Sequence, residues 1–214
     1  MRLRRVAGAL EELQMDKKYF ISNPKDNKGN WKKIFGNDNP IHIEIGCGKG
    51  DFSIGMAKSF PDVNFIAIEK FESVLIRALE KAQSDDIKNL RLVHYDAIML
   101  NELFDDGEID NIYLNFSDPW PKTRHAKRRL TSPLFLDVYS KILKKDGSIM
   151  QKTDNVILYQ YSIESFSQNG WFLSDISVDL HKEEERFNIM TEYERKKCKL
   201  GPIYRLVARK VKND

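Results

Sequence analysis

The chemistry of this chain begins at a carboxylate followed by alternating glycines, E-x-G-x-G-x-G from Glu44 to Gly50. Glycines so spaced let the backbone turn tightly with its amides facing outward, so that a nucleotide-like ligand can approach the main chain. Ile41, Ile43 and Ile45 before the turn are β-branched, which predicts a strand. Phe52, Ile54, Met56 and Ala57, closed off by Pro61, predict a short helix after it. A glycine turn serving only chain reversal is the plainer alternative. The dinucleotide fingerprint G-x-G-x-x-G would need its third glycine at Asp51, so NAD is disfavoured. Two more acids close apolar runs. Glu69 ends VNFIAIE, 25 residues after Glu44, near the offset at which an acid accepts from ribose hydroxyls in nucleotide-binding folds; Asp96 ends LRLVHYD. Any one strand-end acid is commonly a helix N-cap, but three in succession behind a glycine turn point to a ligand.

The densest charge lies in the stretch SDPWPKTRHAKRRL. From Asp118 to Arg129, twelve residues carry Lys122, Arg124, Lys127, Arg128 and Arg129 against one acid, a surplus larger than the +3 of the whole chain. Grouped cations suit phosphate contacts, and His125 stands among them, although a charge run on a helix is more often a solvated face. Pro119 and Pro121 fix φ on either side of Trp120 and stiffen this loop, which suits it to hold reacting groups.

These groups need a scaffold, and the order of elements supplies one. Strands are predicted near 41–45, 63–69, 90–95, 109–116 and 146–152, separated by segments of helical character, which implies a largely parallel sheet covered on both faces. Ligands of such sheets lie outside the carboxyl ends of the strands. Residues 171–179 and 202–211 read as two further strands, an antiparallel pair at one edge. Aromatic residues of 134–139 and 157–166, with Trp171 and Phe172, read as core. Residues 1–36 read as an extension ahead of a catalytic domain spanning 37–214. It holds Arg2, Arg4 and Arg5, a short helix and the loop SNPKDNKGNW, and its arginines suit a polyanion or plain solvation alike.

With 214 residues, 41% hydrophobic and 31% charged, the chain is large enough for one soluble α/β domain with a proper core. No run reaches the roughly 20 apolar residues of a membrane helix, and the first residues lack the apolar centre of a secretory signal, so a cytoplasmic protein without membrane attachment is expected. Cys47 and Cys198 are far apart and form no ligand pair. His42 and His94 fall within strands, and His181 precedes Lys182 and three glutamates in what reads as a solvated segment; no metal site is expected.

E-x-G-x-G-x-G resembles the first motif of the class I S-adenosylmethionine-dependent methyltransferases. That resemblance implies a Rossmann-like α/β fold: a seven-stranded, mostly parallel sheet with an antiparallel C-terminal hairpin and helices on both faces. It also implies cofactor contacts from Glu44 at the methionyl part, Gly46, Gly48 and Gly50 beneath it, Glu69 and Lys70, and Asp96 and Ala97 at the adenine edge. D-P-W-P-K-x-R-H-x-K-R-R is similar specifically to the bacterial tRNA (guanine-N7)-methyltransferases, which modify guanine 46 in the variable loop. Lys152-Thr153-Asp154 and Thr191-Glu192-Tyr193-Glu194 match two further motifs of that family, so the likeness runs from residue 39 to about 206. It implies that Asp118 is catalytic and also borders the cofactor, that Lys122, Asp154, Thr191, Glu192, Tyr193 and Glu194 hold the substrate, and that Arg124, His125, Lys127, Arg128 and Arg129 hold RNA. Departures fall at Thr123, where the family often has lysine, at Ala126, where it often has an acid, and after Arg5, where a tryptophan-containing segment is missing.

Guanine N7 has an in-plane lone pair and no proton, so attack on a sulfonium methyl needs no base. An acid such as Asp118 then stabilises the cationic ring as it forms. The expected partner is tRNA, and the expected state is a monomer or homodimer. A methyltransferase for a small molecule or protein would share the first three strand ends but has no use for the basic run. An RNA-binding chaperone that lost the reaction would not need Glu44, Glu69, Asp96 and Asp118 together.

Overall fold

A computed structural model of the chain describes residues 6–183 and 187–210. Arg2, Arg4 and Arg5 lie outside the described residues. The chain divides into two compact units, residues 1–105 and 106–214.

The first unit runs α1 (Ala9–Met15), α2 (Trp31–Phe35), β1 (Ile41–Ile45), α3 (Asp51–Ser59), β2 (Asn64–Glu69), α4 (Glu72–Ser84) and β3 (Leu90–His94). Its strands are parallel in the order β3-β2-β1, with Glu44 opposite Ala67 and Glu69 opposite His94. Every residue of β2 is buried, as a strand covered on both faces requires. Helix α4 buries Leu75, Ile76, Ala78, Leu79 and Ala82, a stripe with helical period.

Residues before β1 are built into this unit. Trp31, at the end of the stretch that reads as loop, is fully buried, and its Nε1 donates to the Leu103 carbonyl at 2.8 Å. Tyr19–Ile21 line the free edge of β3: Leu92 N–H donates to the Tyr19 carbonyl (2.8 Å) and Ile21 N–H to the Leu92 carbonyl (3.0 Å). An open parallel edge would leave such groups unpaired, and this segment covers it. Helix α1 packs on α4, and the Val6 N–H reaches Ser73 Oγ at 3.0 Å.

The second unit runs β4 (Ile109–Asn115), α5 (Pro133–Ile142), β5 (Leu143–Thr153), α6 (Val156–Gln168), β6 (Trp171–Ser177), α7 (Glu192–Lys197) and β7 (Tyr204–Lys210). Strands β4 and β5 are parallel; β7 is antiparallel to both β5 and β6 and lies between them. The expected antiparallel pair therefore forms, with β6 outermost. Trp171 is buried, but Phe172 faces outward because successive strand residues alternate sides. Strand order over the seven is β3-β2-β1-β4-β5-β7-β6. Among the described residues, no helix is long and apolar enough to cross a membrane.

Gly50 shows how closely the first unit packs behind its glycine turn. Its φ is +79°, and a Cβ there would lie 2.7 Å from Ala78 Cβ on α4. Gly50→Ala combines left-handed backbone strain with overpacking, and urea titration should show a loss of about 2–4 kcal/mol. An unchanged midpoint would mean that α3 and α4 can part freely.

Candidate active site

In the first unit the backbone donors at the strand ends are gathered by carboxylates. Glu69 is nearly buried; one oxygen accepts from the Gly48 N–H (3.1 Å) and the other from the Lys70 (2.8 Å) and Phe71 (3.0 Å) N–H groups. The Gly46 and Cys47 N–H groups both donate to the Ile68 carbonyl, at 2.8 and 3.1 Å. The glycine turn is thus fastened to the end of β2. Gly46 and Gly48 have positive φ, and a Cβ on either would meet nothing within 4 Å, so the turn borders open space. Glu44 is buried at the end of β1 and accepts from Ser53 Oγ at 2.5 Å, in the first turn of α3.

Asp96, just past β3, accepts from the Ile98 N–H (3.2 Å) and from Lys70 Nζ (2.5 Å). Burial pushes its carboxyl up, but the Lys70 ammonium and the Ile98 N–H together outweigh this and hold it below the usual aspartate range. Ala97 is buried beside it. Burial, then the charges of Glu44 and Glu69, push the Cys47 thiol well up, so it stays protonated and inert. Of the cofactor residues read from the sequence, Glu44, the three glycines, Glu69, Lys70, Asp96 and Ala97 share one edge of this unit, whereas Asp118 belongs to the second. Acceptors at Glu69 and Asp96 beside a glycine turn fit the hydroxyl and amine donors of a nucleoside.

In the second unit, β4 leads into a strained loop. Phe116 has φ +52° and Trp120 φ +41°, left-handed values that cost of order 1–3 kcal/mol each in non-glycine residues. Asp118 between them is exposed, as is Lys122. A 3-10 turn, Thr123–Arg128, follows, with Arg124, Lys127 and Arg128 exposed. The Arg128 guanidinium lies 4.9 Å above the Trp120 ring, and His125 meets that ring edge-on at 5.7 Å. Arg129 departs from the sequence reading: it is only 6% exposed and donates to the Pro119 and Trp120 carbonyls at 3.0 and 3.1 Å. A guanidinium so enclosed is not offered to phosphate.

Glu194 departs from it too. It is fully buried, one oxygen 2.6 Å from the equally buried Lys152 Nζ, the other accepting from Asn188 Nδ2 at 2.6 Å and within 3.1 Å of His181 Nε2. Lys152 Nζ also donates to Asn188 Oδ1 and the Ile189 carbonyl, each at 2.9 Å. His181 stays exposed, as the solvated segment read from the sequence implies, while its Nε2 reaches in to this buried carboxylate. The sequence carried a signal for this: Thr191-x-x-Glu194 has capping-box spacing, and Thr191 Oγ1 accepts from the Glu194 N–H at 2.9 Å to start α7. That start turns Glu194 inward. Glu192 pairs with Lys196 at 2.7 Å along the helix.

Tyr193 remains available. Its hydroxyl donates to Asp154 Oδ2 at 3.1 Å, and its ring stands 5.2 Å from that of Phe116. Burial and the Asp154 charge, opposed by Lys197, raise its pKa, so the phenol keeps the proton it donates. Lys197 Nζ is 3.4 Å from the same Asp154 oxygen. Phe116 and Lys197 had no site role in the sequence reading, since only the fold sets Lys197 beside Asp154 and Phe116 against Tyr193. Among the described residues no group of three or more His, Cys, Asp or Glu could hold a metal ion.

A family model described as "Putative methyltransferase" matches residues 38–206. A tRNA (guanine-N(7)-)-methyltransferase of Listeria monocytogenes serotype 4b is 52% identical over 210 residues, covering 98% of each chain. That of Bacillus subtilis strain 168 is 51% identical over 206 residues, 96% of this chain and 97% of the other. The chain belongs to the bacterial tRNA (guanine-N7)-methyltransferase family. Solved structures bear on the fold of this methyltransferase. The 16S rRNA methyltransferase KamB aligns with TM-score 0.63 at 13% identity, covering 86% of this chain and 94% of that one. A 30S ribosomal A1408 methyltransferase from an uncultured bacterium aligns with TM-score 0.57 at 19% identity, covering 86% and 93%. The methyltransferase has the Rossmann-like class I fold.

Removing one partner of the Lys152–Glu194 pair strands a buried charge. Lys152→Met should cost about 3–5 kcal/mol in chemical denaturation, and Lys152→Met with Glu194→Leu should recover most of that loss. Equal losses in the single and double variants would show that the pair is not coupled.

Proposed function

We propose that this methyltransferase moves the methyl group of S-adenosylmethionine to N7 of guanine 46 in the tRNA variable loop. The observation that carries the reading is the stretch from Asp118 to Arg128, where an exposed carboxylate, a stiff loop and exposed cations follow one another. It stands in a chain about half identical, over its full length, to enzymes named for guanine N7 methylation.

The residues of the first unit fit the cofactor. Glu69 takes the ribose hydroxyls, Asp96 the adenine amine, with Lys70 and Ala97 bordering them; the turn at Gly46, Gly48 and Gly50 passes beneath the methionyl part, whose ammonium is drawn to Glu44. When bound, the cofactor supplies an electrophilic methyl on a positively charged sulfur. Asp118 borders it and faces the developing purine cation, which a preorganised anion stabilises without taking a proton. Asp154 accepts from guanine N1 and N2 hydrogens, its carboxylate oriented by the Tyr193 hydroxyl, and Lys122 donates to O6 or a phosphate. Thr191 and Glu192 border the same acceptor site, and Glu194 acts there by fixing α7.

Exposing a stacked or paired guanine costs a few kcal/mol. Stacking on the Phe116 and Tyr193 rings offsets about 1–3 kcal/mol of that. Arg124, Lys127 and Arg128, with His125 beside them, supply the rest through phosphate contacts. Arg2, Arg4 and Arg5 of the N-terminal extension add to these.

Incubation of unmodified tRNA with methyl-labelled cofactor, followed by chain scission at 7-methylguanosine, should give a single cut at position 46; label at another base or atom overturns the assignment. Asp118→Asn should lower kcat at saturating tRNA by about a hundredfold. Alanine at Arg124, Lys127 and Arg128 together should raise KM for tRNA and flatten the slope of log affinity against log salt by about 2–3. A salt slope that does not change would show that these cations face solvent in the complex.

A further inference from the structure

The cations after Asp118 do not form one surface. Arg128 is exposed and stacked on Trp120, whereas Arg129 is buried and directed back into its own loop. Its Nε donates to the Pro119 carbonyl at 3.0 Å and its Nη2 to the Trp120 carbonyl at 3.1 Å, while the guanidinium lies 4.3 Å over the Tyr161 ring. Two successive carbonyls match the planar fork of a guanidinium, a match that the point charge of a lysine does not reproduce.

The backbone that carries Arg129 is itself fixed. Its N–H donates to the Ala126 carbonyl at 3.0 Å, and its carbonyl accepts from the Ser132 N–H at 2.9 Å. Thr131 Oγ1 lies 2.8 Å from Ser162 Oγ, and the Thr131 carbonyl accepts from Ser165 Oγ at 2.6 Å. Tyr161, Ser162 and Ser165 all belong to α6. A chain of contacts therefore leads from a regular helix, through Arg129, to the carbonyls of the two successive peptides on either side of the Trp120 Cα. Trp120 is one of the two strained residues of that loop, and a strained conformation persists only where its surroundings over-determine it.

We propose that Arg129 is a positioning residue: it holds the Pro119–Trp120 backbone against α6, and so fixes Asp118 and the Trp120 ring for methyl transfer, without contacting phosphate. Its neighbours in the run serve RNA affinity, while Arg129 serves turnover. The kinetic part rests on the function proposed above; the structural part does not.

The full chain carrying 5-fluorotryptophan has three tryptophans, Trp31, Trp120 and Trp171, and so three fluorine resonances, of which the Trp120 signal is assigned by Trp120→Phe. In Arg129→Lys, the Trp120 resonance should shift or broaden while the other two stay in place. Its kcat should fall by about a hundredfold, the cost of a reacting group displaced by about 1 Å. KM for tRNA and the salt slope should hold within about twofold, because no ground-state contact is lost. Arg128→Ala should do the reverse, raising KM and lowering the salt slope by about one. Millimolar guanidinium should restore part of the kcat of Arg129→Ala, a recovery not expected of a variant that has lost its fold; should that variant not fold, Arg129→Lys carries the test. An unmoved Trp120 resonance, or a raised KM with a flattened salt slope in Arg129→Lys, overturns the proposal. Should the parent protein methylate no tRNA, the functional reading fails, and the fluorine spectra alone decide whether the clamp exists.

Discussion

Where a parallel strand ends, the next backbone N–H groups have no ladder partner, and in the first unit one carboxylate answers for three of them. Glu69 accepts from Gly48, Lys70 and Phe71, so the side chain that closes β2 also sets the path of the glycine turn beyond β1. An ionised acceptor bonded to several backbone donors is strong and short-ranged, which suits a segment with no regular structure of its own. Ile68 adds a carbonyl to the same arrangement. The open side of Gly46 and Gly48 persists because these contacts hold the turn from behind.

The second unit meets the same difficulty with buried cations. Two irregular segments matter there, the loop at Phe116–Pro121 and the stretch at 187–191 before α7. Lys152 gathers Asn188, Ile189 and Glu194 around one ammonium, and Arg129 gathers the carbonyls of Pro119 and Trp120 around one guanidinium. Both cations would be costly to bury alone. With three acceptors around the ammonium, and two carbonyls and the Tyr161 ring around the guanidinium, each makes one loop conformation preferable to its alternatives. Exposed Asp118 and Tyr193, and half-buried Asp154, are the visible ends of segments whose positions are decided underneath.

Much of this was legible in the residues, and the reasons for the remainder are physical. IHIEI and NFIAIE read as strands because β-branched residues in short runs have few other uses, and the acids at their ends stand out against such a background. Trp31 was not legible as core, since SNPKDNKGN before it has the composition of a turn and the carbonyl that its indole reaches, that of Leu103, is 72 residues away. Arg128 and Arg129 are adjacent and of one type, yet one is solvated and the other enclosed. What separates them is where the 3-10 turn ends relative to α6, a long-range fact. Glu192 and Glu194 differ in the same way, and there the capping spacing from Thr191 held the clue.

The chemistry proposed here explains why so many charges serve position instead of proton transfer. A nucleophile that already exposes its lone pair needs no base, so side chains can lower the barrier only by holding the purine in line and by placing negative potential where its ring becomes positive. Neither task tolerates a loose loop, because an anion displaced by about 1 Å loses much of its effect on the transition state while still attracting the ground state. Affinity for a polyanion tolerates looseness well, since exposed lysines and arginines find phosphates from many geometries. The four cations on view and the one buried in the same twelve residues thus answer to different requirements, and burial is the property that tells which requirement each one meets.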